Sequence, residues 1–397
     1  MKIRLNTQYV YSFTVAYMLS FLGILSMTNN ILNTVGLQTT LDTIVMYSAL
    51  LFLVFGGLLL TFTEGETFKV DVFIIVAFFV MAFIASSLFH PENSVYMFTS
   101  IGDYSGNPIY LFFIYSLPCY IFVRYLKNYS YFIRIMRAFS YVTEVMAIIV
   151  FFFTKGTSVL NYMTFSYNML LQLFFLIVYR PGKKYMLPHY AVVGLGIIAL
   201  VFGGSRGAMV FLLAGCVIFY LFTNKLSIKS ISVIVLATLA DILVAMFKEN
   251  ILVLSAEFME SLSIDSRNLR YLMEGNLFDT KSRNGTYTDA IANMGVLGKG
   301  LMGDRIVLDI YAHNIFLELL VQFGIVAGFI LCVALIAFLV SSLLKKDKPE
   351  LVFILLLLPC GLFKLLVTGS YLHQEPAFYA LLAFCMSSHV RRSELCG

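Results

Sequence analysis

The feature that most constrains this chain is a succession of apolar runs, each of membrane-crossing length, interrupted by a single long polar stretch at 248–312. A spanning helix needs about 20 largely apolar residues. Twelve segments qualify: 9–28, 42–62, 70–89, 108–124, 138–154, 158–179, 186–203, 206–223, 229–247, 313–343, 350–369 and 375–390. Hydrocarbon leaves no water to satisfy a backbone N–H or C=O, so such a chain must fold as a bundle of helices. Only 12% of the residues are charged, against about 25% in soluble domains, and the mean hydropathy is +0.88. The expectation is an all-α integral membrane protein with about twelve transmembrane helices. Helices 1–9 occupy 1–247, the long loop 248–312, and helices 10–12 with a short tail 313–397.

The basic residues assign the sides. With the N-terminus in the cytoplasm, the inner connections carry Lys2, Arg4, Lys69, Arg124, Lys127, Arg134, Arg137, Arg180, Lys183, Lys184, Lys225, Lys229, Lys345, Lys346, Lys348, Arg391 and Arg392. The short outer connections hold only Lys155 and Arg206. Long translocated loops are largely exempt from this charge rule. Both termini are therefore expected in the cytoplasm, and the long loop, Arg206 and His313 outside. Met-Lys-Ile-Arg leads straight into the first apolar run with no small-residue cleavage site, so an uncleaved first helix is expected.

Composition excludes several function classes. The net charge of +5 reflects this sidedness and implies no nucleic-acid partner. Five of the six cysteines fall in apolar spans and the sixth, Cys396, in the tail, so neither a disulfide framework nor a cysteine metal site is expected. Trp is absent and Tyr frequent, which makes Tyr the main interfacial aromatic. There is no phosphate-binding Gly-x-x-x-x-Gly-Lys-Ser/Thr, no His-Glu-x-x-His, and no Asp-x-Asp in the first outer connection, 29–41. A metal-free mechanism without a cofactor is the expectation.

The long loop interleaves nine acidic and seven basic residues with apolar ones such as Leu252, Phe258, Leu262 and Leu272. That pattern suits short amphipathic helices lying on the membrane surface. Its later part, from Asn284 to Leu301, reads as a short helix ending in a Gly-rich turn.

Three residues stand out chemically. His313 sits where the loop re-enters the membrane, followed by Asn314, Glu318 and Gln322, which share one helical face at i, i+4 spacing. It could act as a general base near neutral pH; the alternative is an interfacial anchor. Arg206 follows Ser205 in Gly203-Gly-Ser-Arg-Gly-Ala. With Ser205 as N-cap, its guanidinium and the helix N-terminus converge as an anion site; the alternative is an arginine snorkelling to lipid phosphates. Arg283, like Arg267, Arg270 and Arg305, would by itself be a solvated loop charge. Glu144, Gln172, Asp241 and Lys364 are polar groups inside spans, either packing contacts or parts of an ion pathway.

Taken in order, Gly203-Gly-Ser-Arg-Gly-Ala at an outer hairpin, Arg283 near a late loop helix, the Gly298-x-Gly300 turn, and His313-Asn314 with Gly324 eleven residues on resemble the O-antigen ligase/polymerase superfamily. The resemblance covers about 186–345. Tyr287 stands where family members often have Trp, and Val217 where the polymerase pattern has Gly. It implies a GT-C-like membrane glycosyltransferase of the bacterial cytoplasmic membrane, its site facing the periplasm or extracellular side. His313 would then be the catalytic base, Arg206 and Arg283 the pyrophosphate ligands, and Ser205, Asn314, Glu318 and Tyr287 supporting residues. The implied partners are an undecaprenyl-pyrophosphate-linked oligosaccharide donor, a glycan acceptor and the bilayer, with a chain-length regulator or flippase as further candidates. A polymerase would join repeat units; a ligase would move the glycan to lipid A core or another carrier. From other classes, a secondary transporter or flippase would use Glu144, Asp241 and Lys364, and an assembly or sensor protein would use the loop to bind a partner.

Overall fold

The computed structural model describes residues 6–37, 40–63, 69–99, 107–154, 162–223, 257, 259–261, 281–345 and 349–394. Among these residues there are helices and connections but no strand. The main helices are α1 (Thr7–Thr34), α2 (Thr40–Thr63), α3 (Val70–Phe89), α4 (Pro108–Tyr125), α5 (Tyr129–Thr154), α6 (Tyr162–Val178), α7 (Met186–Gly203) and α8 (Arg206–Thr223). After these come α9 (Lys281–Ala292), α10 (Gly303–Leu308), α11 (Ile315–Leu343), α12 (Glu350–Phe363) and α13 (Pro376–Glu394). Eight of the helical segments are long and apolar enough to cross a membrane, and three shorter apolar ones lie in α6, α12 and α13. The expected span 229–247 lies outside the described residues, as do Asp241 and most of the loop before α9.

The packing is that of a membrane protein. Large apolar side chains face outward along α3 (Phe73, Ile74, Met81, Ile84, Leu88) and α11 (Ile325, Val326, Phe329, Ile330, Val333). A continuous apolar exterior on this scale suits lipid rather than water. Polar side chains are gathered inside instead.

The chain divides into two compact units. One comprises Met1–Leu19, Ser48–Phe132 and Thr280–Gly397; the other comprises Ser20–Tyr47 and Ile133–Asp279.

In the first unit α13 packs along α4 and α12. Phe79 of α3, Phe112 of α4 and Tyr379 of α13 meet ring to ring, with centroids 4.7–5.9 Å apart. At one end of α4, Arg124 ties three helices together. It donates to Asp71 Oδ1 of α3 at 3.1 Å and to Ser387 Oγ of α13 at 2.6 Å, while Tyr120 donates to Asp71 Oδ2 at 2.9 Å. α4 also serves as a ruler. Ser116, near its midpoint, lies about 14 Å from the Tyr125 end at 1.5 Å per residue. Its hydroxyl accepts from Glu375 N at 3.0 Å, so the connection 366–375 reaches the middle of a spanning helix.

The tenth expected span, 313–343, is not one straight helix. Gly324 adopts φ 83°, ψ 165°, outside the helical region and accessible at low cost only to glycine. The chain folds back there into two arms, 315–323 and 325–343. Cys332 Sγ lies 3.8 Å from Phe316 O, whereas a straight helix would hold these residues about 24 Å apart. The arms approach closely because residue 328 is glycine: a Cβ there would stand 2.6 Å from Leu319 O. The backbone groups freed by the break are taken up by the Gly-rich turn. Lys299 N and Gly300 N donate to Val321 O and Gln322 O at 3.0 Å, and Ile325 N donates to Gly295 O at 2.9 Å. Non-helical backbone at membrane depth requires such compensation. The hydropathy of 313–343 hid the break, since glycine within an apolar run costs little on any transfer scale.

In the second unit α6 packs against both α7 and α8. α7 ends at Gly203 and α8 begins at Arg206, leaving almost no loop.

Candidate functional site

The short arm 315–323 is amphipathic in an unusual sense, because its polar stripe faces protein rather than water. Asn314 caps it. The Asn314 Oδ1 accepts from Phe316 N at 2.9 Å and Leu317 N at 3.3 Å, while Nδ2 donates to Leu366 O at 3.2 Å. One and two turns further on, Glu318 and Gln322 project from the same face into a buried polar network. Gln322 Nε2 donates to Asp304 Oδ1 at 2.8 Å and to Glu318 Oε1 at 3.2 Å, and Gln322 Oε1 accepts from Tyr371 OH at 2.7 Å. Ser370 Oγ donates to Glu318 Oε1 and accepts from Arg305 Nη2 at 3.1 Å. Asp304 Oδ2 takes Ala312 N at 3.2 Å, and Tyr379 OH donates to Tyr371 O at 2.9 Å.

Arg305 is therefore not the solvated loop charge expected from sequence. It is 4% exposed, and Asp304 beside it is fully buried. α10 is bounded by two left-handed non-glycine residues, Met302 (φ 62°) and Asp309 (φ 55°). The guanidinium is tied into the network through the Ser370 hydroxyl, which also bonds Glu318, with Asp304 the preceding residue.

His313 lies at the edge of this network, half-buried, and is itself left-handed at φ 55°. Non-glycine residues seldom occupy that region, and such strain clusters at functional sites. Its ring sits 4.1 Å, centroid to centroid, from that of Tyr311, whose hydroxyl pairs with Thr368 Oγ1 at 3.3 Å. Asn314, the next residue, caps the arm, and Glu318 one turn further on joins the buried network.

The connection 366–375 closes the site. Lys364 Nζ meets Glu375 Oε1 and Oε2 at 2.7 and 2.9 Å. His373, half-buried, lies in the same connection. Glu375, His373, Ser370 and Asp304 were not singled out from sequence. The available signal was a polar run, Thr368-Gly-Ser-Tyr-Leu-His-Gln-Glu, set between two apolar spans where a tight hairpin needs only a few residues.

The other expected site residues lie elsewhere. Position 283 falls in the first turn of α9, one turn before the half-buried Tyr287, but the Arg283 side chain lies outside the described residues. Arg206 and Ser205 belong to the second unit. Ser205 Oγ accepts from Ala208 N at 3.3 Å, the N-cap geometry expected of it, and Arg206 is the first residue of α8, half-buried. Also in the second unit, Gln172 accepts from Ser140 at 2.9 Å, and Glu144 is fully buried. Among the described residues no three His, Cys, Asp or Glu side chains gather as a metal site. Comparison of the chain with models of known protein families, with curated proteins and with solved structures found no match.

Proposed function

We propose that this chain is a membrane glycosyltransferase of the polysaccharide-polymerase kind. It would transfer a glycan from undecaprenyl pyrophosphate to a sugar hydroxyl of another lipid-linked repeat unit, with inversion and without a metal. The observation that carries this reading is His313, held in a strained left-handed turn at the rim of the buried Asp304–Arg305–Glu318 network. A sugar hydroxyl is a poor nucleophile when neutral, and a histidine poised near neutral pH is suited to take its proton as the bond forms. Pyrophosphate is already a competent leaving group. The remaining task is to stabilise developing negative charge, which suits Arg206 at its helix N-terminus and Arg283 at the start of α9. The resemblance of the 186–345 segment to the O-antigen ligase/polymerase superfamily supports the same assignment. Transfer to lipid A core or another carrier would make the enzyme a ligase.

The fold-back at Gly324 and the polar connection at the depth of Ser116 favour a second reading, a secondary transporter or flippase, whose sites are built from discontinuous helices. Complementation separates the readings. A glycan-deficient host receives wild type, His313→Ala or Arg206→Ala at matched membrane levels, and its surface glycan is resolved by size. A ladder restored by wild type and reduced to single units in both variants supports the polymerase. A finished chain moved to a new carrier identifies a ligase. Full ladders from both variants overturn the catalytic assignment and leave transport as the reading.

A further inference from the structure

Glu144 lies in the interior of α5, ten residues or about 15 Å from its Thr154 end. It is 0% exposed, and neither carboxyl oxygen has a hydrogen-bond partner. A Cβ added to Gly196 of α7 would stand 2.8 Å from Glu144 Oε2 and 3.1 Å from Leu173 Cδ1 of α6, so the carboxyl lies against a bare glycine backbone beside a leucine. The titratable and charged groups on the elements packed here are Tyr129, Tyr131, Arg134, Arg137 and Tyr141 on α5 itself, Tyr162 and Tyr167 on α6, and His189 and Tyr190 on α7; α1 contributes none between 20 and 34. None of them bonds to Glu144. An ionised carboxylate in such a place has nothing to offset its lost hydration. A bound metal cation would need several oxygen ligands, which a leucine and a glycine Cα do not supply. A proton needs only the carboxyl itself.

A polar route runs toward the carboxyl from the end of α5 that bears Arg137. Arg137 Nη1 donates to Arg180 O at 3.3 Å, and Arg180 is exposed. One turn further along α5, Tyr141 OH shares a hydrogen bond of 2.7 Å with His189 Nδ1 of α7. Tyr141 precedes Glu144 by three residues, which sets the two on adjoining parts of one helix face.

We propose that Glu144 is a proton-binding site, holding one exchangeable proton as the neutral acid and loading it through the Tyr141–His189 pair. In loading, a solvent proton binds His189 Nε2, the Nδ1 proton passes to the Tyr141 oxygen, and the tyrosine proton crosses to the carboxylate through water admitted between them, because no hydrogen bond joins Tyr141 to Glu144 in the packed state. Histidine and tyrosine end neutral, and the net change is one proton moved inward. Release of that proton would leave a charge against Gly196, so occupancy of the site is coupled to the α5–α7 contact. This site stands apart from His313 and does not depend on the glycosyl-transfer reading.

Infrared difference spectroscopy on the full chain in lipid nanodiscs tests the proposal. Wild type minus Glu144→Gln should contain the carbonyl stretch of a protonated carboxylic acid, shifting in D2O, while Glu144→Asp should move that band rather than abolish it. The shift in D2O should be slower by tenfold or more in His189→Phe and in Tyr141→Phe. Carboxylate bands in place of the acid band, or an acid band unmoved in Glu144→Asp, would overturn the site. Wild-type exchange rates in both aromatic variants would overturn the route.

Discussion

Arg305 and Glu318 illustrate what a single buried charge demands. The guanidinium donates to Ser370, which bonds Glu318, while Gln322 Nε2 bridges Asp304 and Glu318 and its Oε1 accepts from Tyr371. Removing the cation leaves buried acidic groups uncompensated, which typically costs about 3–5 kcal/mol. Arg305→Leu should show that loss in denaturant titrations of the purified protein. Glu318→Gln should cost less than about 1 kcal/mol, because its Oε1 still accepts from Ser370 and Gln322.

At the scale of elements, the fold-back at Gly324 creates the site's polar face. Alanine at 324 would be strained at this positive φ by about 1–3 kcal/mol, and its Cβ would meet Val296 O at 2.3 Å. Spin labels at Phe316→Cys and Cys332 should report near contact in wild type and a longer, broader distance in Gly324→Ala. The sequence displayed this element's ingredients but not its shape. The i, i+4 spacing of Asn314, Glu318 and Gln322 was legible because helix periodicity is local. The reversal was not, because Gly324 sits inside an unbroken apolar run whose partner, the 295–300 turn, is distant in sequence. The network has the same difficulty: Glu318 and Ser370 bond across 52 residues, a pairing that neither hydropathy nor spacing encodes.

For the whole molecule, the apolar runs carried the class of fold, since spanning length and composition are properties of one segment at a time. Sidedness rests on the basic residues and can be checked directly. In a cysteine-free background, Leu297→Cys, 85% exposed in the structure, should react with an impermeant maleimide on intact cells. Lys127→Cys should react only after permeabilisation. The reverse result would invert the topology and place His313 on the cytoplasmic side. The Arg124 clamp joins α3, α4 and α13 at one end of the bundle, and Arg124→Leu should lower stability by about 3–5 kcal/mol through the unpaired Asp71.

The fold-back also dictates an order of construction. An arm of nine residues, about 13 Å long, with a glutamate and a glutamine along one side, cannot remain in lipid by itself. Asp304 is made before it, but the other two groups that satisfy it, Ser370 and Tyr371, are synthesised some fifty residues later. During biogenesis the arm must therefore wait, at the membrane surface or within the insertion machinery, until α12 and the connection that follows it have been released. The catalytic candidate His313, attached to that arm, would be the last part of the protein to mature, and a nascent chain stalled before Ser370 would expose a lesion that membrane quality control can recognise.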